Sequence, residues 1–141
     1  KASEDRRDVL LPAIQRFVTR FASVTGIHVD VMTHGKVVVN DRLAAELFQI
    51  VAEGLSNVRR HALCNEARVE ITCEANRVMV QIKNRRPGEV ADFNFDPPGN
   101  HNEKTLFTPR SIAERAALFG GETKVSIDEN NYTVVNVSIP L

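Results

Sequence analysis

The sequence predicts an α+β domain: a two-layer sandwich in which a mixed, mostly antiparallel sheet carries three helices on one face. Three observations lead there. Apolar residues recur at helical spacing in three segments, shorter segments alternate apolar and polar with a period of two, and turn-rich connections join those shorter segments in pairs. Hairpins make antiparallel neighbours, and a sheet with one apolar face has to be covered by the apolar stripes of the helices.

The elements follow in order. Residues 3–25 carry Leu10, Ile14, Phe17, Val18 and Phe21 at helical spacing, and Gly26 supplies a stop. Pro12 interrupts this run, so the helix is expected to start properly there, with residues 1–10 the end of an upstream linker or helix and 11–141 the domain. The abrupt, charged opening at Lys1 reads as a cut from something longer. Residues 27–31 alternate as a half-buried strand does, and His34-Gly35 is expected to turn the chain into another strand at 36–39. Asn40 or Asp41 caps a long helix reaching about residue 63. Ala67, Val69, Ile71 and Cys73 share one strand face; Val78, Val80 and Ile82 share the next, with Ala75-Asn76 as the hairpin connection. Residues 85–106 are rich in Pro, Gly, Asn, Asp and charge, the composition of a long loop that is a functional lid or disordered. Thr108 reads as an N-cap, with Pro109 in the first turn of a short helix that ends at Gly120-Gly121. A second hairpin, 123–127 with 132–139 around Glu129-Asn130-Asn131, completes three helices and about six strands.

A chain of 141 residues, 43% hydrophobic and 26% charged, can bury an adequate core without staples. Its 18 basic and 18 acidic residues cancel, so no overall field recruits nucleic acid or a membrane surface. No apolar run approaches the roughly 20 residues that cross a bilayer, and no signal-peptide pattern opens the chain, so a cytoplasmic domain is expected. Cys64 and Cys73 fit no zinc spacing and sit among apolar neighbours, as reduced, buried thiols do. His28, His34 and His101 suit surface or packing roles, and Arg115 or Glu114 is expected to bind the body of the domain.

The richest chemistry lies in the long helix. Leu47, Ile50, Val51, Gly54, Leu55 and Val58 fall in one sector, and Glu53 and Asn57, four apart, stack on its flank with Arg60 and His61 a turn further on. A carboxamide oxygen is a hard, neutral ligand for Mg²⁺, a carboxylate can orient or deprotonate a nucleophile, and a guanidinium can carry phosphate charge. The alternative is a solvated flank of an ordinary amphipathic helix. Gly54 speaks against it, because glycine inside a helix costs about 1 kcal/mol relative to alanine and so implies a close approach by a strand or ligand.

A helix bearing Glu-x-x-x-Asn, a hairpin, a polar loop, a short helix ending in Gly-Gly and a final hairpin ending Ile-Pro-Leu resembles the ATP-binding catalytic domain of sensor histidine kinases. This is the Bergerat-type fold of the superfamily that also holds gyrase, Hsp90 and MutL. The chain looks most like the nitrate- and temperature-sensing branch, and the likeness covers residues 11–141, most strongly 53–62 and Ser111-Ile112-Ala113-Glu114-Arg115-Ala116 leading to Gly120-Gly121. The resemblance implies ATP and Mg²⁺ as cofactors, Asn57 as the Mg²⁺ ligand, Glu53 as the catalytic residue polarising the attacking group, and Arg60 with His61 near the phosphates. It further implies an upstream dimerisation domain carrying the phosphoacceptor histidine and a response regulator as partners, and it is compatible with the chain being the cytoplasmic part of a membrane-bound sensor.

Two boxes depart from the family pattern. Where the family places Asp-x-Gly-x-Gly to read adenine, this chain has Asn84-Arg85-Arg86-Pro87-Gly88. Asn84 still offers an oxygen to the adenine amino group, but loss of ionic character costs about 1 to 1.5 kcal/mol, roughly tenfold in affinity. Arg86 replaces the first glycine and could occlude the pocket, while Gly88 keeps the second. Where a Gly-x-Gly normally wraps the phosphates, Phe107-Thr108-Pro109-Arg110 stands, and Pro109 removes one amide donor. Thr108, Arg110, Ser111 and the helix N-terminus remain to meet an anion. The site is thus a modified ATP site or a decayed one; the alternative function is a pseudo-ATPase acting through protein contacts, and a serine kinase of the anti-sigma type shares the architecture.

Overall fold

The computed structural model describes residues 9–61, 64–85 and 108–141. Helix α1 spans Leu10–Thr25 and buries Leu10, Ile14, Val18 and Phe21. It starts two residues before Pro12, which is tolerated because an N–H in the first turn has no intrahelical acceptor in any case. Gly26 closes the helix in the left-handed conformation (φ 79°), its N–H reaching Ala22 O at 2.9 Å. The expected helical residues before 9, the helix end at 62–63, the expected loop from 86 to 106 with Phe93, Phe95 and His101, and the predicted site residue Gly88 with its neighbour Arg86 lie outside the described residues.

Strand β1, His28–His34, leads to helix α2, Asp41–His61. Asn40 is the cap: its Oδ1 accepts the Leu43 N–H at 2.8 Å, satisfying one donor of the first turn. Arg59, Arg60 and His61 occupy the last turn, where cations suit the helix dipole. Strands β2, Glu66–Cys73, and β3, Arg77–Arg85, form a hairpin in which Val69 faces Ile82 and Ile71 faces Val80. Helix α3, Arg110–Ala117, is followed by β4, Glu122–Ile127, and β5, Tyr132–Pro140. The last hairpin turns as expected: Asp128 Oδ1 accepts the N–H groups of Asn130 at 2.9 Å and Tyr132 at 3.0 Å, and Asn131 takes a positive φ of 68°.

Two expectations are corrected. Residues 36–39 form no strand, so the described residues hold five strands rather than about six. β1 pairs in parallel with β2, His28 opposite Glu66, and the chain after Gly35 has to leave the sheet to reach α2. The valines there serve as packing instead: Val37 is buried and Val39 lies against the core. Their β-branched composition was a packing signal, and tertiary context decided the backbone. Secondly, Pro109 and not Thr108 occupies the N-cap position of α3, with extended backbone (φ −64°, ψ 117°) and no side-chain cap bond. With its own ψ extended, Pro109 stands outside the helix, and its carbonyl takes the first intrahelical bond, from the Ala113 N–H at 3.0 Å, which leaves Thr108 one residue too early to cap.

The sheet order is β1-β2-β3-β5-β4, parallel only between β1 and β2. Ala67, Val69, Ile71, Val78, Val80, Ile82, Val137 and Ile139 alternate onto one face and join the buried residues of all three helices in a single core. The opposite face is polar, with Lys83 Nζ 3.3 Å from Glu70 Oε1 and Arg85 Nη1 3.7 Å from Glu66 Oε1. Gly54 answers the question its position posed. A Cβ there would collide with Ile82 Cδ1 and lie 3.2 Å from Ile82 Cγ1, so glycine is what lets α2 sit directly on β3.

Candidate functional site

The site is built where α3 leans on α2. Glu46 and Glu53 lie about two turns apart on one flank of α2. Ser111, in the first turn of α3, donates from Oγ to Glu53 Oε1 at 2.7 Å. Arg115, a turn later, donates through Nη1 to Glu46 Oε2 at 2.7 Å, while Nη2 lies 3.5 Å from Glu53 Oε2 and Nε 3.4 Å from Glu53 Oε1. That buried Nε has no aligned acceptor, so its tie to Glu53 is charge attraction and not a hydrogen bond. The bond to Glu46 first, and that to Glu53 second, hold the Arg115 proton more firmly than usual. Arginine is charged at any working pH, so the consequence is geometric: two carboxylates fix one planar fork.

One turn beyond Glu53, Asn57 Oδ1 accepts from Arg60 Nη2 at 2.7 Å, and Arg60 Nη1 is 3.5 Å from Ser56 Oγ. Arg60 and His61 are exposed at the end of α2, and Thr108 and Arg110 are exposed at the start of α3. Asn84 is half-buried near the end of β3, in phase with Val78, Val80 and Ile82 and therefore on the helix side of the sheet. It stands one strand period past Ile82, the residue that Gly54 abuts.

The fold thus joins Glu53 to Ser111 across 58 residues of sequence and Asn57 to Arg60 within one helix. Sequence reasoning missed Glu46. Its signal was its spacing from Glu53 on the same flank, together with Arg115, the member of the Glu114-Arg115 pair that does bind the body. Among the described residues no group of three or more His, Cys, Asp or Glu could hold a metal ion. This donor chemistry fits Mg²⁺ only in the form in which phosphates and water supply most ligands and a neutral oxygen such as Asn57 Oδ1 supplies one. No helix among the described residues is long and apolar enough to cross a membrane.

No protein-family model matches the chain. The signal transduction histidine-protein kinase/phosphatase DegS of Brevibacillus brevis is 28% identical over 133 residues, which are 94% of this chain and 32% of that protein. The histidine kinase domain of the blue-light activated EL346 kinase of Erythrobacter litoralis has the same fold, with a TM-score of 0.61 at 21% identity over 94% of this chain and 61% of that one. The nucleotide-free catalytic domain of histidine kinase ThkA gives a TM-score of 0.60 at 19% identity, covering 93% of this chain and 90% of that one. The solved structures show that this chain shares the fold of histidine kinase catalytic domains, and DegS adds a likeness in sequence at 28% identity. The chain spans about a third of the length of DegS, at 32%.

Proposed function

We propose that this chain is the ATP-binding catalytic domain of a cytoplasmic two-component sensor histidine kinase. It would bind Mg·ATP beside α2 and donate the γ-phosphoryl group to a histidine on a dimerisation domain of the longer protein, which then serves a response regulator. The narrower likeness to the nitrate- and temperature-sensing branch rests on sequence motifs alone. The observation that carries the reading is the 2.7 Å bond between Ser111 and Glu53, which draws two motifs far apart in sequence to one place.

In this reading Asn57 Oδ1 would hold a Mg²⁺ ion, which would supply neutralisation of phosphate charge when bound. Arg60, which now donates to that oxygen, would turn to the phosphates, since a cation on Asn57 repels the guanidinium and the phosphate anions attract it. Asn84 accepts from the adenine amino group, and the free N–H groups of α3, that of Ser111 among them, meet the phosphate end with Thr108 and Arg110, while the Ser111 hydroxyl stays on Glu53. Glu53 orients the attacking imidazole by accepting from one ring N–H. The lone pair of the other nitrogen bonds to phosphorus, and the Pγ–O bond breaks with its electron pair leaving on ADP. Positioning and charge supply the rate.

Titration with a fluorescent ATP analogue and Mg²⁺ tests the reading. Binding should be saturable and should weaken at least about tenfold in Asn57→Ala, about the effect of losing one charge-assisted ligand. No binding at millimolar nucleotide would sink it. Pro109 at the N-cap position, where the anion-facing turn loses a donor, favours a second reading: a pseudo-ATPase domain that acts through protein contacts. ATP-dependent phosphorylation by the full-length protein, abolished by Asn57→Ala, would rule that out.

A further inference from the structure

Among the described residues, the side-chain partners of the Glu53 carboxylate are Ser111 and Arg115, both from one face of α3. Ser111 and Arg115 are four residues apart, hence neighbours on that face. Ser111 Oγ takes Oε1 at 2.7 Å, and Arg115 approaches both oxygens at 3.4 and 3.5 Å. Arg115 is in turn pinned by its 2.7 Å bond to Glu46. The Glu46 bond alone would suffice to tie the two helices together. The second set of contacts does something that tie does not: it restricts the plane and rotamer of a side chain that is only 31% exposed and that the proposed function uses.

We infer that Arg115 is a positioning residue for phosphoryl transfer: anchored on Glu46, it and Ser111 fix the orientation in which the Glu53 carboxylate meets the attacking group. This rests on the kinase reading. A carboxylate left to rotate samples many orientations, of which few align with the incoming imidazole, and misplacement of a reacting or orienting group by about 1 Å costs on the order of 100-fold in rate. Arg115 itself touches neither nucleotide nor acceptor in this scheme, so its loss falls on turnover and not on nucleotide affinity.

The test uses the full-length protein. Arg115→Gln, Arg115→Lys and Ser111→Ala are compared for histidine phosphorylation and for affinity for the fluorescent ATP analogue. Arg42→Ala is the control: Arg42 lies over the Phe119 ring, 5.8 Å from its centroid, and ties α2 to the turn after α3 without touching Glu53. Arg115→Gln should lower kcat about tenfold or more while the analogue binds within about threefold of wild type, and Arg115→Lys should recover part of the loss by keeping the charge without the fork. Ser111→Ala, which removes one exposed hydroxyl and little else, should lower kcat in the same direction and covers the case in which Arg115→Gln does not fold. Arg42→Ala should lower Tm and leave kcat unchanged. Equal kcat losses in Arg115→Gln and Arg42→Ala would make the contact a structural tie and overturn the inference. So would unchanged kcat in Arg115→Lys and Ser111→Ala with nucleotide still bound, which leaves the kinase reading standing. A wild type that binds no nucleotide overturns both.

Discussion

Cys64 lies just beyond α2, its Sγ 3.4 Å from the Glu66 carbonyl oxygen. Burial is the main cause that pushes its thiol pKa up, and the negative charge of Glu66 adds to it. The thiolate is the reactive form, so a raised pKa makes Cys64 sluggish near neutral pH. Iodoacetamide labelling followed by mass spectrometry should show Cys64 reacting more slowly at pH 7 to 8 than a simple peptide thiol, with the rate still climbing above the ordinary thiol range; a rate equal to the peptide would contradict this assignment. Placement within one helix was legible in the sequence: Arg60 one turn beyond Asn57 follows from helical spacing, while the bond between them is added by the structure. Glu46 was not read, because its spacing from Glu53 gains meaning only once Arg115, 69 residues away in sequence, is brought between the two.

Among the elements, α2 and β3 form the tightest junction. Alanine at position 54 would gain about 1 kcal/mol of helix propensity but force Ile82, only 1% exposed, out of its place, and overpacking typically costs about 1 to 3 kcal/mol. Gly54→Ala should therefore be destabilising by about 1 kcal/mol in denaturant unfolding. Ile82→Val removes the colliding Cδ1, so the double variant should be more stable than the sum of the two single effects; strict additivity would show that the helix moves instead. Helix periodicity and strand alternation announced these two elements plainly, and the glycine announced their contact. The same kind of reading failed at 36–39, where three valines looked like a strand and became an apolar lead-in, and at Pro109, where the cap shifted by one residue. In the first case tertiary packing decided the backbone, with Val37 and Val39 turned into the core on the way to α2, and in the second the extended backbone of Pro109 keeps it outside α3.

For the molecule as a whole, the layered architecture was readable because a single apolar face on each element leaves few ways to assemble them. The strand order was less so, since pairing between β1 and β2 skips over α2 and leaves no local trace. β1 has one partner and forms an edge, whereas β3 is flanked on both sides, by β2 and β5. Native-state amide exchange should accordingly open β1 before β3, and equal protection in the two strands would contradict this ranking.

The parallel pairing also orders events in time. Two hairpins, β2 with β3 and β4 with β5, close over short loops, but His28 cannot find Glu66 until all of α2 lies between them. Loop closure of that span delays β1 relative to the local contacts. The helix that bears Glu53 and Asn57 is therefore the connector this closure spans, so the first strand can take its place only once that helix is laid across the sheet.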